Sequence, residues 1–125
     1  MLMLAQDRDT LGVVSDQFGC PTYAGDIAQA IIELLQRNAA GGVYHFCGDE
    51  TVAWSEFAEA IFSAAIKQGV LAKAPIVNGI TTSQYPTPAR RPKYSVLNCE
   101  KIQNQGVILS PWKDRIDEII TIQPK

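Results

Sequence analysis

Residues 81–98, TTSQYPTPARRPKYSVLN, hold the side chains best suited to chemistry: the adjacent guanidinium groups of Arg90 and Arg91, set among Pro86, Pro88 and Pro92. Planar guanidinium forks match phosphate oxygens bidentately, so an anion is their natural ligand. Each proline fixes its own φ and pushes the residue before it toward extended backbone, which makes this a defined, non-helical loop with a low ordering cost on binding. A solvated turn whose arginines pair with surface acids such as Asp16 or Glu100 accounts for the same residues equally well. The local pattern leaves both readings open.

Other chemistry is thin. None of the 9 glycines forms a Gly-x-Gly spacing, so the turn that cradles a dinucleotide pyrophosphate is missing, and so is a P-loop. Tyr23, Tyr44, Tyr85 and Tyr94 are followed four residues later by Ile27, Gly48, Ala89 and Asn98, which excludes a Tyr-x-x-x-Lys acid/base pair. The chain alone is not expected to carry out hydride chemistry. His45, the one histidine, falls in a strand-like run among apolar neighbours and reads as structural rather than as a general base. Cys20 lies in a Gly-Cys-Pro turn with no evident base. With Cys47 and Cys99 it gives an odd number of cysteines far apart in the chain, which supports neither a disulfide framework nor a zinc site; free thiols are the simpler reading.

The elements that position these residues follow from pattern. At 125 residues, 46% apolar and 19% charged, the chain suits a single domain spanning residues 1–125. A net charge of −2 gives no basic field, so no nucleic acid is expected as a partner, and any anion must be caught locally. No apolar run approaches the ~20 residues of a membrane span, and the first residues lack a signal-peptide pattern, so no membrane partner and a cytoplasmic location are expected.

Residues 1–9 read as the end of a helix, residues 11–17 as a strand, and 18–22 as a turn with Thr22 as N-cap. Ile27, Ile31, Leu34 and Leu35 predict a well-buried helix over 23–37. Residues 39–48 read as turn plus strand, apolar on both faces and therefore covered on both sides. Trp54, Phe57, Ala58, Ile61, Phe62 and Ala65 form a helical stripe that ends at Gly69, and Trp54 and Trp112 read as core. Ala53 stands where a capping box would want Ser or Thr, which weakens that helix start. Further on, residues 94–97 suggest a short strand, Asn98 an N-cap and Gly106 a stop. Ser110 and Pro111 then open a last helix, with Trp112, Ile116, Ile119 and Ile120 buried. Helix and strand alternate, so the fold class is α/β.

Taken in order, VVSDQFGCPTYAGDIAQAI, GGVYHFCG, WSEFAEAIF, YPTPARRPKYSVLN and PWKDRIDEII resemble the C-terminal portion of the dTDP-4-dehydrorhamnose reductases. These are extended short-chain dehydrogenase/reductases, and the resemblance runs over essentially the whole chain. It implies the C-terminal substrate-binding part of a Rossmann-type α/β fold whose N-terminal dinucleotide-binding part, with the Gly-rich loop and the Tyr-x-x-x-Lys pair, is absent here. The implied activity is reduction of dTDP-4-dehydro-6-deoxy-L-mannose to dTDP-L-rhamnose by NADPH or NADH, in the supply of surface polysaccharide. This part alone would bind the dTDP-sugar without turning it over. On the same resemblance, Gln17, Phe18, Gly19, Pro21 and Thr22 line the nucleotide-sugar cleft, and Arg90 or Arg91 lies near the diphosphate. Some members are associated with Mg²⁺, although this sequence has no convincing acidic cluster for it. Apolar surface exposed by the missing part predicts a homo-oligomer or other self-association. The rival implication is a non-enzymatic homologue resembling the regulatory subunit of methionine adenosyltransferase.

Overall fold

The computed structural model describes residues 1–122. In chain order it contains α1 (Leu2–Asp7), β1 (Thr10–Val14), β2 (Phe18–Gly19), α2 (Ala24–Gln36), β3 (Val52–Ala53), α3 (Trp54–Lys67), β4 (Ile76–Ile80), a 3₁₀ turn (Thr82–Gln84), α4 (Glu100–Asn104) and α5 (Trp112–Ile122). The α/β class expected from the sequence is present.

The centre is α3. Its 3.6-residue stripe buries Ala58, Phe62 and Ala65 against Leu11, Val52, Leu71, Trp112, Ile116 and Ile120. Phe62, 1% exposed, is among the largest fully enclosed side chains. As the Ala53 position predicts, α3 starts without a side-chain cap. It stops where Gly69 turns to φ +73° and the Gly69 and Val70 N–H groups donate back to the carbonyls of Ile66 and Ala65, the pairing of a Schellman stop. β1 and β4 pair in parallel, Thr10 opposite Ile76 through Val14 opposite Ile80, while β2 pairs antiparallel with β3. The long excursion between β1 and β4 carries α2 and α3. It delivers the chain to residue 81 beside the end of β1.

Several expectations need correction. β1 ends at Val14 rather than at residue 17, and Phe18 and Gly19, read as turn, form the short β2. α2 is a helix, but not a buried one: Ala30 is its one buried residue, whereas Ile27, Ile31, Ile32 and Leu35 are exposed, Leu35 by 72%. Helical periodicity identifies a stripe, not what covers it, and the described residues place no sheet under this face. Residues 43–47 do not form a strand, and Val43 and His45 are exposed. A strand requires a partner ladder, and this segment obtains only a bridge from Gly48 to Ser110. Residues 94–97 likewise make one bridge, Tyr94 to Phe18, instead of a strand.

Cap chemistry also differs. Tyr23, not Thr22, occupies the N-cap of α2. Asn98 Oδ1 accepts from the Glu100 N–H, while Cys99 holds the N-cap position of α4, which stops at Gly106 with φ +84°. In α5 Trp112, Ile116 and Ile120 are buried as expected, but Ile119 is exposed. Ser110 turns its hydroxyl away from that helix, with a consequence for the site.

Candidate functional site

The site is made where two connections zip together: residues 15–22, after β1, and residues 81–98, after β4. Asp16 fastens the start of the second loop. Its carboxylate accepts from the Thr82 N–H at 2.9 and 3.1 Å and from the Thr82 hydroxyl at 2.7 Å. Those bonds, the hydroxyl's foremost, hold Asp16 below its ordinary value of 3.8. Gln17 Nε2 adds a bond to Thr82 Oγ1, and Thr81 with Gln84 completes a capping box over the 3₁₀ turn. At the far end the Phe18 N–H donates to the Lys93 carbonyl, and the Phe18 carbonyl accepts from the Ser95 N–H and hydroxyl. Arg91 sits two residues before that second anchor.

A third support fixes Pro21. Thr22 Oγ1 donates to the Cys20 carbonyl and accepts from the Gly48 N–H, so its hydroxyl organises the loop backbone. Gly48 lies so close beneath that a methyl there would collide with the Pro21 carbonyl oxygen. Below it, fully buried Ser110 accepts from the Tyr23 N–H and donates to Asp26 Oδ2 at 2.6 Å. Arg115 closes the network, with Nε 3.1 Å from each Asp26 carboxylate oxygen and Nη2 2.9 Å from Oδ1. Partial burial pushes the Asp26 pKa up, and the bonds from Arg115 and Ser110 together outweigh it, leaving the group below its ordinary 3.8.

Above these supports lie two adjoining clefts. The smaller, about 210 Å³, is lined by Gln17, Phe18, Gly19, Pro21, Trp54 and Arg91 together with β3 and residues of α3 and the second loop. The larger, about 520 Å³, runs along β1 past Phe62, Tyr85 and Thr87. Gln17, Trp54 and Arg91 line both. Of the site residues expected from sequence, Gln17, Phe18, Gly19, Pro21 and Arg91 come together at this junction. Thr22 lies beneath it, and Arg90 faces only the open groove of its own proline loop.

Trp54 is the residue that sequence reasoning misplaced. It belongs to the apolar stripe of α3 but occupies its first position, beyond the covered core, and is 51% exposed. Its ring rests at 6.1 Å from that of Phe57, which in turn meets Trp112 edge-on at 5.7 Å. Trp112 is core, as expected. A tryptophan at the first turn, directly after the strand that faces the Gln17–Pro21 loop, was the available signal.

The arrangement can bind a bulky, flat, anionic ligand. Among the described residues, ion pairs join Lys73 to Asp9, Lys113 to Glu50, and Arg115 to both Asp26 and Glu118, so neither Arg90 nor Arg91 has a carboxylate partner. Asp16, a candidate partner from sequence, is engaged by Thr82 instead. The described residues contain no group of three or more His, Cys, Asp or Glu side chains that could hold a metal ion, so Mg²⁺ finds no ligand set among them. The chain also has no Gly-x-Gly turn of the kind that cradles a dinucleotide pyrophosphate.

The sequence profile of the RmlD substrate binding domain matches residues 1–123. A dTDP-4-dehydrorhamnose reductase of Aggregatibacter actinomycetemcomitans is 47% identical over 125 residues, which cover 95% of this chain and 42% of that protein. Among solved structures, a dTDP-4-dehydrorhamnose reductase of Clostridium acetobutylicum superposes with a TM-score of 0.83 at 31% identity, covering 97% of this chain and 41% of that one. The Bacillus anthracis dTDP-4-dehydrorhamnose reductase in complex with NADP gives 0.81 at 28% identity, covering 98% and 41%. The chain thus spans about two-fifths of the length of the proteins it matches.

Proposed function

The chain belongs to the RmlD substrate binding domain family, and from that membership we propose that it supplies the nucleotide-sugar side of a dTDP-4-dehydrorhamnose reductase site. The supporting observation is the junction of the two clefts, where unpaired Arg91, Gln17 and the exposed face of Trp54 converge. Arg91 neutralises the diphosphate of a dTDP-sugar. Trp54 offers its ring to a flat or apolar face of the ligand, and Gln17, Phe18, Gly19 and Pro21 form the wall. NADPH or NADH is held by the reductase region that this chain does not include and supplies the hydride. What these residues contribute is position: a fixed diphosphate sets where the 4-keto carbon lies, and orientation of that kind lowers a barrier without touching the reacting atoms. The chain alone binds and does not reduce, in the cytoplasm where nucleotide sugars are processed.

Trp54 also provides the test. Titration with dTDP should change the fluorescence of exposed Trp54 while buried Trp112 stays silent. Trp54→Ala should weaken dTDP binding by about 3- to 10-fold, the worth of one aromatic contact at ~0.5–1.5 kcal/mol. Fluorescence indifferent to dTDP, with wild-type affinity in the variant, would remove Trp54 and this cleft from the proposal.

The exposed α2 face supports a second part of the proposal, that the chain associates with itself in solution. Ile27, Ile31, Ile32 and Leu35 are all exposed on this one helix, an apolar surface left without cover among the described residues. Light scattering should give a mass above that of the monomer at high concentration, and Ile31→Glu with Leu35→Glu should return it to the monomer. A monodisperse wild-type monomer would contradict this.

A further inference from the structure

Cys20, Cys47 and Cys99 are far apart in sequence and meet in one apolar cluster with Ala30, Ile102 and Val107. Cys47 and Cys99 are buried, with Sγ atoms 3.5 Å apart. Cys20 is half-buried, its Sγ 3.7 Å from Thr51 Oγ1, and it packs against the cluster that holds Cys47 and Cys99. None of the three sulfurs is used in the nucleotide-sugar reading. From this geometry we infer that Cys20, Cys47 and Cys99 form a peroxide-responsive thiol relay that ends in a reversible Cys47–Cys99 disulfide.

The distances permit it. A disulfide places its sulfurs about 2.05 Å apart, so the pair must close by about 1.5 Å, within reach of small side-chain adjustments. Burial, followed by the hydrogen bond with Cys99, pushes the Cys47 thiol up to about 12, so it does not react first at neutral pH. The half-buried Cys20 does. Its thiolate takes one oxygen from hydrogen peroxide, giving a sulfenic acid and hydroxide, which accepts the Cys47 proton. Cys47 sulfur attacks the sulfenic sulfur, the S–O bond breaks, and the departing oxygen leaves as water after protonation. Cys99 thiolate then attacks Cys47, releasing Cys20 as a thiolate that regains a proton. In sum, two thiols and one peroxide give one disulfide and two waters.

The product would tie two parts of the site. Cys99 follows directly on the loop that carries Arg91, and the Cys47 carbonyl accepts from the Ser110 N–H beneath Pro21. The cross-link closes a long loop, 52 residues in separation, which restricts the unfolded chain strongly.

The chain treated with hydrogen peroxide should lose about 2 Da and then take up one alkyl group rather than three, yield a Cys47–Cys99 peptide pair on non-reducing digestion, and melt about 5 °C or more higher. Dithiothreitol should reverse these changes. Cys99→Ser should accumulate Cys20–Cys47 instead, and Cys20→Ser should slow oxidation by about 10-fold or more with the same final pair. Oxygen adducts on Cys20 alone, or intermolecular dimers with Cys47 and Cys99 still alkylatable, would overturn the inference. An unchanged rate in Cys20→Ser would overturn the relay.

Discussion

Arg91→Ala is expected to weaken dTDP binding by about 10-fold or more, while Arg90→Ala changes it by less than about 3-fold. A charged hydrogen bond contributes ~1.5–3 kcal/mol, and 1.4 kcal/mol is one decade in affinity. The two residues are adjacent and chemically identical, so composition cannot separate them. The difference comes from the anchors: Phe18 pairs with Lys93 and Ser95, which sets the register of the loop and brings Arg91 to both clefts and Arg90 to neither. In a full-length reductase the same pair should separate in KM for the dTDP-sugar more than in kcat, because the guanidinium acts on binding and position rather than on the reacting carbon. Calorimetric titration of both variants reads the first effect directly. Equal losses would place the anion on the outer proline groove, and no loss in either would return the loop to a solvated turn.

Asp26→Ala is expected to destabilise the fold by about 2–4 kcal/mol, because it strips Ser110 and Arg115 of their shared acceptor in a poorly solvated place. The Asp26 side chain is only 13% exposed. Stability should also depend on acid with a definite sign. Asp26 titrates lower in the folded chain than in the unfolded one, so its contribution is complete above the ordinary carboxylate range. It fades as pH falls through about 3.8 and continues to fade toward the depressed folded value. Asp26→Asn removes that component. Urea midpoints measured between pH 3 and 7 should therefore show a shallower acid loss in Asp26→Asn than in the wild type. Parallel profiles, or an Asp26→Ala chain within 0.5 kcal/mol of wild type, would mean that the network is incidental.

The parts of this fold that depend on local chemistry were legible from sequence. The α3 stripe, its stop at Gly69, the Gly106 stop and the buried face of α5 each follow from spacing within a few residues. What depended on distant partners was not. Residues 43–47 have strand composition but no ladder among the described residues, and the α2 stripe has helical spacing but no cover, since pattern specifies a face and not its neighbour. The Asp26–Ser110–Arg115 network joins residues more than 80 positions apart, out of reach of any motif. At the site, the resemblance and the proline pattern pointed to two loops, and the structure brings Gln17, Phe18, Gly19, Pro21 and Arg91 from them together. The choice of Arg91, the supporting role of the Thr22 hydroxyl and the outward position of Trp54 needed the register between those loops.

The central claim is tested most directly by amide ¹H–¹⁵N correlation spectra of this chain recorded while dTDP is added. The account predicts dispersed peaks, with saturable shifts confined to residues 17–22, the start of α3 at Trp54, and the loop around Arg91. Dispersed peaks that ignore dTDP, or shifts that map away from the junction of the two clefts, would contradict it.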